Sequence, residues 1–216
     1  MATVVSPSAQ QVVQEQCVLL RHVSWETYER LLADYEDSSS PRFTYDRGML
    51  EIMVPSPEHE VVKHLLATLV ELLTDEMGID VIGAGSTTFR RADLDRGFEP
   101  DACFYIQHAA QMRGKKRLDL TEDPPADLVI EVDITSPSLP RLPIFAAIGV
   151  PEVWRYHGTR VSILTRIAGQ YVEQEASTVL PRVTSSGLTE LIAAGQHLTR
   201  PAWRRHVRAW VQSQEG

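Results

Sequence analysis

Three acids in this chain stand where an ordinary solvated carboxylate would not. Glu131 and Asp133 interrupt the otherwise apolar run DLVIEVDI. Side chains alternate along a strand, so residues two apart share one face. Carboxylates are rarely buried without a partner, and their mutual repulsion in a low-dielectric site raises a pKa until something positive neutralises them. Two partners would serve. One is an arginine of the chain. The other, which we prefer, is a hard divalent cation such as Mg²⁺, which takes oxygen ligands and commonly only one or two carboxylates, with water and phosphate completing its shell. The third acid, Asp101, follows Pro100 at the mouth of the run DACFYIQ. Pro100 biases Glu99 toward an extended conformation. If the two runs are neighbouring strands, Asp101 and Glu131 converge on one ion, and an ion there polarises a phosphoryl oxygen and lowers the pKa of an attacking water.

Other constellations carry less. The histidines of His59-Glu60-Val61-Val62-Lys63-His64 are five apart, which leaves them about 140° apart around a helix and poorly placed for one zinc ion. Gly83-Ala84-Gly85-Ser86-Thr87 lacks the Gly-Lys ending of a phosphate loop, although Ser86 and Thr87 are of a type that meets phosphate. No Gly-x-Ser-x-Gly elbow is present, which argues against an ordinary ester hydrolase. His22, His157, His197 and His206 read as surface residues.

The elements that must position the acids are partly legible. Ser24 caps a helix over WETYERLLADYE. RFTYD and MLEIM form a hairpin across Asp46-Arg47-Gly48. Ser56 and Pro57 open a long helix whose Val62, Leu65, Leu66, Leu69, Leu72 and Leu73 recur at helical spacing, and Gly78 stops it. IDVIGA, STTFRR and DACFYIQ read as strands, followed by a polar loop over about 108–126. The continuous apolarity of DLVIEVDI fits a central strand covered on both faces. A short helix over about Leu142–Ile148, ended by Gly149, leads to the strand EVWRYH, which pairs with RVSILTR. A strand that crosses through a helix to a neighbouring strand is a parallel crossover, so a mixed sheet is expected. Near the end, PAWRRHVRAWVQ is amphipathic, with Trp203, Val207, Trp210 and Val211 on its packing face. The expectation is an α/β (α+β) protein, with a mixed sheet flanked by helices and preceded by an N-terminal helix and hairpin. Residues 1–16 read as a disordered tail and 17–216 as one domain.

Composition bounds the function. Of 216 residues, 43% are apolar, enough for a sizeable core, and no run is long and apolar enough to span a membrane. Only Cys17 and Cys103 occur, so no disulfide framework or thiolate zinc site is implied, and a reducing cytoplasm is the expected setting. The net charge of −8 argues against nonspecific coating of nucleic acid. Basic residues nevertheless cluster at Arg90-Arg91, at Arg113 to Arg117, and at Arg200, Arg204, Arg205 and Arg208, each of which also fits a solvated face.

At this point the chain resembles a known family. The stretches YDRGMLEIMVPSPEHE, GFEPDACFYI, DLVIEVDITSPS and IFAAIGVPEVWRY are together similar to the restriction-endonuclease-like PD-(D/E)XK nuclease superfamily, within a bacterial group of small endonucleases long classed as a domain of unknown function. The resemblance implies a restriction-endonuclease-like core in which Asp101 and Glu131 are metal ligands, with the backbone of Val132 and waters completing a Mg²⁺ or Mn²⁺ shell. A group on the first core helix often joins them, and His59 and Glu60 are the candidates. The pattern expects lysine two residues after the glutamate, where Asp133 stands. The corresponding positive charge falls at Arg141, which would act on the scissile phosphate or simply pair with Asp133. The implied activity is hydrolysis of phosphodiester bonds in nucleic acid, DNA first, by a homodimer. The alternative is an inactive nuclease-fold module that binds nucleic acid or a protein partner.

Overall fold

The structure, a computed structural model, describes residues 15–134 and 139–214. The expected tail thus lies outside the described residues except for Glu15 and Gln16, and Gln16 opens a strand, β1 (Gln16–Arg21). Helix α1 (Trp25–Asp34) begins as its sequence predicts, with the Ser24 hydroxyl accepting from the Thr27 amide and satisfying one of the free N–H groups of the first turn. β2 (Arg42–Asp46) and β3 (Met49–Val54) form the expected hairpin. Arg47 and Gly48 at its turn both have positive φ, the mirror-image geometry that matches strand twist. Helix α2 (Pro57–Met77) is capped by Ser56 and ends on a left-handed Gly78.

The middle of the chain supplies β4 (Ile82–Gly85), β5 (Phe89–Arg91), β6 (Arg96–Phe98), β7 (Ala102–Tyr105), a short α3 (Ala109–Met112) within the polar loop, and β8 (Leu128–Asp133). Helix α4 (Leu142–Ile148) has the expected bounds and ends on Gly149 in the left-handed region. β9 (Glu152–His157), β10 (Arg160–Ile167), β11 (Gln170–Gln174), α5 (Ser185–His197) and α6 (Arg200–Ser213) complete the described chain. None of these helices is long and apolar enough to cross a membrane.

Two sheets result. One is antiparallel, in the order β1-β3-β2-β6-β5; the other is mixed, in the order β11-β10-β9-β8-β7-β4. β8 and β9, joined through α4, are the parallel pair of the expected crossover. The N-terminal hairpin therefore belongs to a second sheet, which its sequence neighbours alone did not announce.

Strand β8 separates two cores by its alternation. Leu128, Ile130 and Val132 pack with α2, α5 and α6, including Trp203, Val207 and Val211. Val129 packs on the opposite side with Phe89 and Phe98 of the antiparallel sheet and Phe145 of α4. Both faces are covered, which is why the run is apolar apart from Glu131 and Asp133. Period two then sends Glu131 and Asp133 to the side of Val129, toward the seam between the two sheets.

Candidate active site

β7 and β8 are antiparallel neighbours with Ala102 opposite Ile130, so the register continued by one residue sets Asp101 opposite Glu131. Both are buried. Asp101 Oδ2 accepts from the Val132 amide at 2.6 Å. Its Oδ1 accepts from His59 Nε2 at 2.7 Å and pairs with the Arg42 guanidinium. His59 is held from its other side by Glu15, Nδ1 to Oε1 at 2.7 Å, and its amide donates to Ser56.

Glu131 is held differently. Its Oε2 accepts from Arg141 Nη1 at 2.8 Å, while Oε1 is buried with no partner among the described residues. Burial pushes this carboxyl up; Arg141 pulls it back, Asp133 pushes it further up, and the net direction is upward. Arg141 also donates from Nη2 to Glu51 Oε1 at 2.9 Å, and Glu51 Oε2 accepts from the Leu139 amide at 2.9 Å. Burial alone would lower the guanidinium pKa of Arg141, but the charges of Glu131 and Glu51 outweigh it and raise it, so Arg141 stays charged.

The remaining expected residues fall around this centre. Arg141 precedes α4 as its N-cap rather than lying within it, because the helix starts at Leu142 with Pro143 in its first turn. It does not pair with Asp133, which instead takes Arg155 of β9. Glu60, in the first turn of α2, is half exposed and pairs with Arg42 Nη2 at 2.7 Å and with Lys63. It reaches Asp101 only through Arg42, whereas His59 touches Asp101 directly. Val132 meets the site through its backbone; its side chain lies in the core. The arginine partner weighed for Glu131 and Asp133 is therefore present for each, Arg141 on Glu131 and Arg155 on Asp133, and Arg42 pairs with Asp101 as well.

Four of these contributors carried no role in the sequence reading: Arg42, Glu51, Glu15 and Arg155. Glu51 had a usable signal, since it stands between Leu50 and Ile52 as Glu131 stands between Ile130 and Val132. Arg42, at the start of a hairpin strand, had none. A cleft of about 810 Å³ opens beside the site, and Arg42 lies in both. Its walls include Ser86, Thr88, Arg90, Glu99 and Arg117. The Glu99 carboxyl is itself pushed up by burial, against the pull of the Phe43 amide and the Thr88 hydroxyl.

The donor set fits a hard cation. Among the described residues no three Asp, Glu, His or Cys side chains form a cage for a metal ion. An ionised carboxylate offers about four lone-pair positions, and Asp101 engages three donors. Glu131 Oε1 is open. Two carboxylates with residual capacity, and water for the rest, meet the needs of Mg²⁺ better than those of zinc.

Residues 25–199, most of the chain, match the family Uma2, described as "putative restriction endonuclease". The chain belongs to this family. Uma2 membership agrees with the superfamily resemblance of the sequence. Among solved structures, the chain is similar to a "putative nuclease belonging to DUF820" from Anabaena variabilis ATCC 29413, with 12% identity and a TM-score of 0.47 over 74% of this chain and 98% of that one. No curated protein matches.

Proposed function

We propose that this Uma2 protein is a divalent-metal-dependent endonuclease that hydrolyses phosphodiester bonds, with DNA as substrate. The observation that carries the reading is the pair Asp101 and Glu131, buried on neighbouring strands, with Glu131 Oε1 open and the charged Arg141 beside it. Asp101 and Glu131 would hold Mg²⁺ or Mn²⁺, with the Val132 backbone and waters completing the shell. When bound, such a cation polarises a phosphoryl oxygen and makes water a better nucleophile at neutral pH. The chain's own residues do the rest. The Val132 amide and His59 orient Asp101. Arg141 places a permanent positive charge where negative charge grows on the scissile phosphate. Glu60, half exposed and paired with Arg42, would orient a water or a second ion. The substrate would approach along the cleft that Arg42 helps to line. The same reading takes residues 17–216 as one domain, working as a homodimer that presents two sites to one duplex in the reducing cytoplasm.

One observation favours a second reading. Both acids already carry an arginine, which is how a site that has abandoned chemistry would neutralise them. In that case the chain is an inactive module that binds nucleic acid or a protein partner. A cleavage assay separates the two. Purified protein is incubated with supercoiled, linear and single-stranded DNA and with RNA, in Mg²⁺ or Mn²⁺, beside an identically purified Asp101→Ala/Glu131→Ala variant. Cleavage by the wild type alone supports the nuclease. Equal cleavage by both, or none by either, moves the weight to the binding module.

A further inference from the structure

Glu51 is a buried acid of the site to which the proposed chemistry gives no role. Glu51 lies on β3 of the antiparallel sheet and is fully buried. A carboxylate in a sheet interior is costly unless its oxygens are engaged. Both are engaged, and by the same short segment of the other layer: Oε1 takes Arg141 Nη2, and Oε2 takes the Leu139 amide. Leu139 and Arg141 belong to the stretch that joins β8 to α4. One side chain thus clamps the backbone and the guanidinium of a segment 88 and 90 residues further along the chain.

Nothing else in the described structure aims Arg141 so directly. As the N-cap of α4 it makes no side-chain capping bond, and its Nε has no partner among the described residues. Its guanidinium is a rigid planar fork, so anchoring one arm sets the direction of the other. With Nη2 on Glu51, Nη1 meets Glu131 Oε2 and leaves Oε1 open. Without that anchor both arms are free to close on Glu131, the usual bidentate pairing of arginine with a carboxylate, and the open oxygen is lost.

We infer that Glu51 is the positioning residue for Arg141, holding one arm of the fork so that the other supports catalysis without closing over Glu131. Its catalytic consequence rests on the nuclease reading above. Arginine suits such an arrangement because its planar fork fixes the second arm once the first is held, whereas the three rotatable donors of a lysine carry no such constraint.

Glu51→Gln is the diagnostic change. It is close in shape, but one of the two acceptor oxygens becomes an NH₂ donor, which then faces either Arg141 Nη2 or the Leu139 amide, and the negative charge is lost. The wild type, Glu51→Gln, Arg141→Lys and the double variant are compared in two readouts. The first is steady-state cleavage with Mg²⁺. Glu51→Gln should lower kcat roughly 10-fold or more with little change in KM, the scale of one lost charge-assisted hydrogen bond. Arg141→Lys should cost markedly less in the Glu51→Gln background than alone, since the anchor is already gone. Equal kcat in Glu51→Gln and wild type, or additive effects of the two changes, would overturn the inference. The second readout needs no activity. In protein labelled with ¹⁵N-arginine, the Arg141 Nη signals, assigned by their absence in Arg141→Lys, should be separately resolved in the wild type and shift in Glu51→Gln as the guanidinium leaves residue 51 and re-pairs with Glu131. Merged signals in the wild type, or Arg141 signals at wild-type positions in folded Glu51→Gln, sink it. If the wild type fails to cleave while the guanidinium behaves as stated, the nuclease reading falls and the anchoring by Glu51 stands. If Glu51→Gln does not fold, the wild-type spectrum and the kcat of Glu51→Asp, whose shorter side chain cannot reach both donors, decide in its place.

Discussion

The Asp101 carboxylate accepts the Val132 amide at 2.6 Å, so the acid at the mouth of one strand is tied to the backbone beside the acid of the next. Glu131 has no such tie: one oxygen takes Arg141 and the other is open. The two carboxylates, equal in burial and in proposed role, differ in what they do for the fold.

Stability should divide accordingly. Asp101→Ala strands the Val132 amide and His59 Nε2 and leaves Arg42 to Glu60 alone, and each buried donor left unsatisfied costs about 1–3 kcal/mol. Glu131→Gln keeps an oxygen for Arg141, which also retains Glu51, so its loss should stay within about 1 kcal/mol. Urea denaturation of both variants checks the order; a larger loss in Glu131→Gln would reverse our assignment of which acid organises the fold.

Asp133 should be dispensable for cleavage. It pairs with Arg155 of β9 rather than with Arg141. Asp133→Asn is expected to keep kcat within roughly threefold, a barrier change below about 1 kcal/mol. A loss as deep as that of Asp101→Ala would place Asp133 among the catalytic groups.

Gly97 sits under α1. A methyl group there would lie 2.9 Å from Cε1 and Cζ of Tyr28, which is itself buried and stacked on Tyr45 with ring centroids 4.9 Å apart. With no free space for the ring to yield into, Gly97→Ala should destabilise by about 1–3 kcal/mol. A thermal melt matching the wild type would show that α1 moves freely against the antiparallel sheet.

The two thiols predict an alkaline weakness. Burial pushes Cys103 up to about 12, and burial followed by the charges of Glu51 and Glu15 pushes Cys17 up to about 11, from an ordinary 9.0. The unfolded chain therefore loses these protons first as pH rises. With fewer protons bound in the unfolded state, stability falls between pH 9 and the folded values. Urea midpoints at pH 8 and pH 10 should drop in the wild type and drop less in Cys17→Ala/Cys103→Ala; parallel drops would assign the effect to other groups.

What the sequence made legible follows from the range of each signal. Local chemistry was readable: the Ser24 and Ser56 caps, the Gly78 and Gly149 stops, and α4 to the residue. The apolarity of Leu128, Val129, Ile130 and Val132 marked the central strand, and the acids of the same run marked the candidate site. Elements created by tertiary packing were not readable. β6 is three residues, Arg-Gly-Phe, extended because Gly97 fits under Tyr28 and β2 pairs beside it. β1 exists because β3 offers it an edge, with Leu19 opposite Glu51, and neither β11 nor α5 carried a strong enough period to be seen. The same limit hid Arg42 and Glu51, whose partners lie far along the chain. It also left open whether an arginine would reach Glu131, which no local pattern decides.

The account turns on whether Asp101 and Glu131 share a divalent cation. Calorimetric titration of Mn²⁺ into the wild type, Asp101→Asn and Glu131→Gln tests this directly, provided each variant is first shown to be folded by circular dichroism. We predict saturable binding of Mn²⁺ to the wild type and a loss of affinity of roughly 10-fold or more in each variant, as expected when a hard cation loses an ionised oxygen ligand. Equal binding by all three proteins, or none by the wild type, would contradict it.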